Sequence, residues 1–90
     1  MSILKYASAG TMESSDAYIE IEPFESGIRV FIESVVKKQF GDKIESVVLD
    51  VLKEQNVKSC DVKVMDKGAL ECVIRARMET AVLRAREEVK

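Results

Sequence analysis

The sequence predicts an α+β fold in which three strands, a helix, a fourth strand and a second helix follow one another. The first third of the chain alternates polar and apolar residues, which is typical of strands. Residues 36–55 then change to a helical period, and the same change recurs after residue 58. Half-polar strands and one-sided helices predict an antiparallel or mixed sheet with both helices packed on one face.

Three strands are predicted at the N-terminus. Residues 4–12, 16–23 and 28–35 each place apolar side chains at alternate positions. Pro23 has no N–H to donate to a sheet, so it ends the second strand or lies at an edge. Glu25-Ser26-Gly27 has the composition of a turn. The second and third strands are therefore predicted to pair as a hairpin.

The first helix is predicted over residues 36–55, where apolar residues recur three and four positions apart. Gly41 costs such a helix roughly 1 kcal/mol, so a start at Asp42 is also open. Asp42 and Glu45 have the spacing of a capping box. Asn56 is a suitable place for the helix to stop.

The last third of the chain repeats the pattern once. Residues 58–65 alternate, residues 66–68 have the composition of a turn, and residues 69–87 return to helical spacing. Arginines on this second helix alternate with glutamates, at Arg75, Arg77, Arg84 and Arg86. Exposed ion pairs four residues apart are their ordinary explanation, and contact with a partner subunit or with phosphates is the alternative.

Length and charge exclude several classes of protein. With 90 residues, the chain is expected to form a single domain over residues 1–90. A net charge of −2 and a pI near 5.2 predict no nucleic-acid or membrane partner. No signal peptide or membrane span is visible, so a cytoplasmic location is expected. Without a histidine, the usual acid/base of neutral pH is missing, and an independent enzyme is not expected.

The two cysteines, Cys60 and Cys72, do not form a metal-binding or redox motif. No histidine completes a zinc site, so no metal is predicted. Both cysteines lie in elements predicted to face the core. They are therefore expected to be reduced and buried rather than reactive.

A pair of hydroxyls marks the junction between the first two strands. Ser14 and Ser15 follow the small residues 7–10 and have acids on both sides, Glu13 and Asp16. A serine at such a turn is exposed and can be reached by a modifying enzyme. Ordinary turn chemistry, with the hydroxyls bonded to nearby backbone, explains the same residues. The acids are expected to be solvated, and positioning of a modifying enzyme is the alternative.

Four separate blocks of the sequence resemble the citrate lyase acyl carrier proteins, the gamma subunits. They occur in the order found in that family and span nearly the whole chain. The blocks are Ala9-Gly10-Thr11-Met12-Glu13-Ser14-Ser15-Asp16, Lys38-Gln39-Phe40-Gly41-Asp42 with Leu49-Asp50-Val51-Leu52, Asp66-Lys67-Gly68-Ala69-Leu70, and Arg75-Ala76-Arg77. Any one block alone is weak, whereas the ordered set is specific.

The resemblance implies a function for Ser14. In that family the first serine of the Glu-Ser-Ser-Asp stretch carries a covalent 2′-(5″-triphosphoribosyl)-3′-dephospho-coenzyme A, joined through a phosphodiester. Its thiol holds acetyl and citryl groups while the alpha and beta subunits of citrate lyase cleave citrate to oxaloacetate. The implied partners are those two subunits and a prosthetic-group transferase. No catalytic residue is implied in this chain.

The sequence leaves alternatives open for the attachment residue and for the function. Ser15 is a rival attachment residue, one position further along. The carrier subunit of malonate decarboxylase uses the same kind of prosthetic group. An unmodified α+β module that binds a ligand or regulates another protein is the alternative from a different class.

Overall fold

The computed structural model describes residues 3–35 and 37–86, with side chains described outside residues 37–40. Its elements occur in the predicted order, β-β-β-α-β-α, and the α+β class is confirmed. They are β1 (Ala7–Gly10), β2 (Ala17–Glu22), β3 (Ile28–Ser34), α1 (Lys37–Glu54), β4 (Cys60–Asp66) and α2 (Glu71–Ala85). The first strand is shorter than predicted.

The sheet is mixed, with the strand order β1-β2-β4-β3. β2 is antiparallel to both β1 and β4, whereas β3 is parallel to β4. The predicted hairpin of the second and third strands is therefore wrong, because β4 lies between them. Two parallel neighbours need a crossover, and α1 provides it. Alternation shows which side chains a strand buries, but it does not show which strand pairs with it.

Burial differs between the interior and the edge of the sheet. β4 buries Cys60, Val62 and Val64 completely and has a paired strand on each side. Along β3, at the edge, only Ile32 is buried and Val30 is partly covered, although the alternate residues of β3 are as apolar as those of β4. The burial of a strand therefore follows its place in the sheet.

The core lies between one face of the sheet and the two helices. Its largest fully buried side chains are aliphatic residues, one methionine and one cysteine, and they come from β2, β4, α1 and α2: Ile19, Ile21, Cys60, Val62, Val64, Val48, Val51, Leu52, Met78 and Val82. The two helices contact each other. In addition, α1 packs against β3, whereas α2 packs against β1 and β2. The predicted packing of two helices on one face is confirmed.

α1 begins at Lys37, so the alternative start at Asp42 is wrong. Gly41 lies inside the helix, where it costs roughly 1 kcal/mol. The buried stripe that begins at Ile44 and continues through Leu52 offsets that cost. The predicted stop is confirmed, since Asn56 adopts a left-handed φ of 60° just after the helix ends.

The two cysteines differ, although the sequence predicted both to be buried. Cys60 is fully buried in β4, and burial, assisted by the charge of Asp61, raises the pKa of its thiol to about 11. Cys72 is exposed, so the prediction is wrong for this residue. It lies in the first turn of α2, on the side of the helix away from Ile74 and Met78. The buried residues of α2 begin at Ile74, so the first turn does not share their spacing and the sequence did not indicate this orientation.

This difference predicts selective thiol reactivity. Native protein should react with one equivalent of Ellman's reagent, at Cys72, and with a second only after denaturation. The Cys72→Ser variant should show no fast reaction. Fast reaction of both thiols in the folded protein would contradict the burial of Cys60.

Candidate functional site

Residues 11–16 connect β1 to β2 and form a turn with hydrogen bonds among its own residues. The Thr11 hydroxyl donates to Oδ2 of Asp16 over 2.7 Å. The Glu13 N–H donates to Thr11 Oγ1 over 3.2 Å. The Asp16 N–H donates to the Glu13 carbonyl over 3.1 Å. The turn therefore has a defined shape that does not depend on a bound molecule.

A glycine is required where the chain enters this turn. Gly10 has a φ of 96°, in the region that only glycine adopts without strain. A Cβ at this position would lie 1.8 Å from the Ala17 carbonyl oxygen. The two ends of the turn thus approach each other more closely than any side chain allows.

Asp16 is the centre of the turn's polar network, and its side chain is only 15% exposed. Nε and Nη2 of Arg77 donate to its two carboxylate oxygens, each over 3.0 Å. The Ala17 N–H adds a bond of 2.7 Å to Oδ1. The Arg77 bonds, followed by those from Thr11 and Ala17, lower the pKa of Asp16 to about 2. The prediction that this acid is solvated is wrong.

The pKa of Asp16 predicts a loss of stability in acid. It falls from 3.8 in the unfolded chain to about 2 in the folded protein, so the ionised carboxylate stabilises the fold above about pH 4. That contribution should shrink as the pH drops from about 4 and be lost as it falls through about 2. Asp16→Asn should lower the thermal midpoint at pH 7, and the difference from wild type should be much smaller at pH 2. Glu25→Gln, at an exposed acid, is the control; an Asp16→Asn difference that is undiminished at pH 2 would contradict the assignment.

The turn is joined to the segment that follows β4. The Ser15 N–H donates to the Lys67 carbonyl, and the Lys67 N–H donates to the Asp16 carbonyl, each over 2.9 Å. Just before this segment, Asp66 is 2% exposed and accepts bonds from the Ala69 N–H over 2.8 Å and the Ser34 hydroxyl over 2.7 Å. Hydrogen bonds thus join the start of β2 to the end of β4, and the end of β4 to the end of β3.

Sequence reasoning did not find the structural roles of Asp66 and Arg77. Arg77 was assigned to the set of helix arginines, for which ion pairs within the helix were expected. It bonds to Asp16, 61 residues away, whereas Arg75 does pair with Glu79 four residues on and also with Glu54 of α1. For Asp66, the turn composition of Asp66-Lys67-Gly68 was the one feature of the sequence that could have indicated its bonds to the backbone that follows.

Ser14 and Ser15 are both exposed, but they differ in their backbone. Ser15 has a left-handed φ of 67°, and its N–H is bonded to Lys67. Among the hydrogen bonds of residues 3–35 and 37–86, none involves the hydroxyl of Ser14. Ser14 is thus an exposed residue whose hydroxyl has no partner in that part of the chain. The neighbouring Met12 is 51% exposed, so it does not cover the turn.

Other kinds of site find no support in the described part of the chain. Residues 3–35 and 37–86 contain no group of three acids or thiols placed to hold a metal ion. Neither helix in the same residues has an apolar stretch long enough to cross a bilayer.

Known proteins share the sequence of this chain over almost its full length. Residues 4–85 match the acyl carrier family described as the malonate decarboxylase delta subunit (MdcD). Citrate lyase acyl carrier protein 2 of Salmonella typhimurium is 53% identical over 91 residues, which cover 100% of this chain and 94% of that protein. The citrate lyase acyl carrier protein of Escherichia fergusonii is 50% identical over the same shares. The chain belongs to the citrate lyase acyl carrier protein family.

A solved structure shares the fold of this citrate lyase acyl carrier family member. It is a chain of a Pseudomonas malonate decarboxylase hetero-tetramer in complex with malonate. The TM-score is 0.77 over 94% of this chain and 88% of that chain, at 20% sequence identity. At that identity the likeness establishes the fold alone.

Proposed function

We propose that this chain is the acyl carrier subunit of a citrate lyase and that Ser14 carries its prosthetic group. The observation that supports this most strongly is the placement of Ser14. Its exposed hydroxyl lies on a turn that internal hydrogen bonds hold in shape, in a chain about 50% identical to citrate lyase acyl carrier proteins. The group would be the 2′-(5″-phosphoribosyl)-3′-dephospho-coenzyme A that remains when Ser14 Oγ displaces pyrophosphate from the 2′-(5″-triphosphoribosyl)-3′-dephospho-coenzyme A precursor, so that one phosphate joins the two as a phosphodiester.

The residues around Ser14 fit a bulky, negatively charged substituent. The side chains next to it are exposed, so a nucleotide finds room beside the turn. Arg77 neutralises Asp16, which removes one of the two acidic charges that would repel a phosphodiester. Lys67 follows β4 directly, and its backbone carbonyl accepts a hydrogen bond from the Ser15 N–H. It therefore brings a positive charge to the segment that is bonded to the turn. Ser14 would hold the group covalently, and Lys67 would offset its charge.

The chemistry is divided between this chain and its partners. When attached, the group supplies a thiol that carries acetyl and citryl units as thioesters. The turn of residues 11–16 anchors that thiol, and attachment to a docked subunit raises its effective concentration at a neighbouring catalytic centre. The chain itself is non-catalytic. Citrate lyase alpha and beta subunits perform transfer and cleavage in the cytoplasm, and a transferase attaches the group.

A malonate decarboxylase carrier is the second candidate. The matching family is described by that complex, and the solved chain of the same fold belongs to one. The 53% identity with a citrate lyase carrier, against 20% with the solved malonate decarboxylase chain, favours citrate. The third candidate, an unmodified binding module, is less well supported, because the relatives at about 50% identity are carrier proteins.

Reconstitution separates these candidates. The chain, co-expressed with its transferase and the enzymes that make the prosthetic-group precursor, should restore citrate cleavage to citrate lyase alpha and beta subunits that lack a carrier. Unmodified chain, prepared without those enzymes, is the control and should be inactive. Activity restored instead to malonate decarboxylase subunits, with none on citrate, would overturn the citrate assignment. Equal activity of modified and unmodified chain would overturn the carrier function.

A further inference from the structure

A cleft of about 300 Å³ lies between the N-terminal parts of α1 and α2, and none of its lining residues belongs to the turn of residues 11–16. Its lining is mainly apolar: Ile44 and Val47 come from α1, and Ile74 comes from α2. Leu70 stands at its edge with 71% of its surface exposed. An exposed leucine beside an apolar cleft is a candidate contact for a binding partner.

The cleft opens on the same end of the sheet as Ser14. The Ser15 N–H is bonded to the Lys67 carbonyl, and Ala69, two residues further on, lines the cleft. Residues paired in this way have Cα atoms about 5 Å apart. Each further residue adds at most about 3.8 Å. Ser15 and Ala69 are therefore separated by no more than about 13 Å.

The charges of the cleft restrict what can enter it. Lys43 Nζ lies 3.1 Å from Glu71 Oε1, so the one lysine in the lining is already paired with an acid. Asp66 adds a second carboxylate. This environment repels phosphates and carboxylates, and it accepts methylene, methyl and neutral amide groups.

We propose that this cleft holds the thiol-bearing arm of the group on Ser14 between transfers. The inference rests on the proposed function, because the group supplies the occupant. The arm of a coenzyme A derivative consists of methylenes, methyls and amides, which match the lining. Ser14 precedes Ser15, so its Cα lies no more than about 17 Å from that of Ala69. The ribose rings and phosphates that join the arm to Ser14 would add their own length to that of the arm. Since the arm is tethered, weak contacts are enough to keep it there. The phosphates remain outside, near the turn.

Leu70→Asp is a suitable variant because it changes the cleft while preserving the helix. Leu70 is the N-cap of α2, with φ −70° and ψ 156°, and aspartate is among the preferred residues at that position. The change places a carboxylate at the edge of the apolar lining. Leu83→Asp is the matched control, since Leu83 is 53% exposed on the same helix and lies outside this cleft.

The test compares methyl NMR spectra of chain with and without the prosthetic group. Attachment should shift the methyl signals of Ile44, Val47 and Ile74, and Leu70→Asp, but not Leu83→Asp, should abolish these shifts. In a Cys72→Ser background, iodoacetamide should alkylate the prosthetic thiol about three- to tenfold faster in Leu70→Asp than in Leu83→Asp.

The outcomes distinguish this inference from the function on which it rests. A chain that gains mass while shifts stay confined to residues 11–16 and Lys67 overturns the cleft assignment alone. Equal alkylation rates in the two aspartate variants also overturn it. A chain that gains no mass after co-expression with its transferase overturns both the carrier function and the cleft assignment.

Discussion

Replacement of Gly10 by alanine should lower the free energy of unfolding by about 3 kcal/mol or more. The new Cβ would lie 1.8 Å from the Ala17 carbonyl oxygen and 2.9 Å from its carbon. Both are backbone atoms, so no side-chain rotation relieves the clash. A φ of 96° adds strain of its own for a residue other than glycine. Chemical denaturation of wild type and variant measures the difference.

Gly27→Ala is the matched control for this prediction. Gly27 has a similar φ of 80°, but nothing lies within 4 Å of a Cβ added there. It should therefore cost only the backbone strain, about 1–2 kcal/mol. Equal losses in the two variants would mean that the turn of residues 11–16 tolerates a side chain at its entrance, contrary to the structure.

Ser14→Ala should eliminate carrier activity in the reconstituted lyase. Alanine has no nucleophile for the phosphodiester, so no thiol would be attached. The free energy of unfolding should change by no more than about 0.5 kcal/mol, because the side chain is exposed and bonded to nothing in the described residues. The expected result is a folded, inactive subunit.

Ser15→Ala is the control for Ser14→Ala. It keeps the Ser14 hydroxyl and should retain carrier activity. Serine already adopts the left-handed φ of 67° at position 15, so alanine adds little backbone strain, and the free energy of unfolding should change by no more than about 0.5 kcal/mol. Loss of activity in Ser15→Ala with full activity in Ser14→Ala would move the attachment to the second serine.

Most of the fold could be predicted from the sequence because burial leaves a local pattern. Period-two and helical spacing located all six elements, and the one-sided helices indicated the layers. Pairing of strands is different, because it depends on residues far apart in the chain. β2 and β3 are joined by a short segment rich in turn residues, yet β4, some thirty residues later, separates them. Alternation within a strand does not rank its possible partners.

The site shows the same division between local and distant information. The two hydroxyls at the junction of β1 and β2 could be seen in the sequence, and the family resemblance singled out Ser14. The partner of Asp16 could not be seen, because Arg77 is 61 residues away on a helix where closer acids offered ordinary pairs. Cys72 was misplaced because the first turn of α2 does not continue the buried stripe.

Intact-mass spectrometry, with fragmentation to locate the modified residue, tests the proposed attachment most directly. Wild-type chain and Ser15→Ala, each co-expressed with the transferase and the enzymes that supply its substrate, should gain one dephospho-coenzyme A derivative, located on Ser14. Ser14→Ala should keep the unmodified mass. A group found on another residue, or an unmodified wild-type chain under conditions that load a related carrier, would contradict the account.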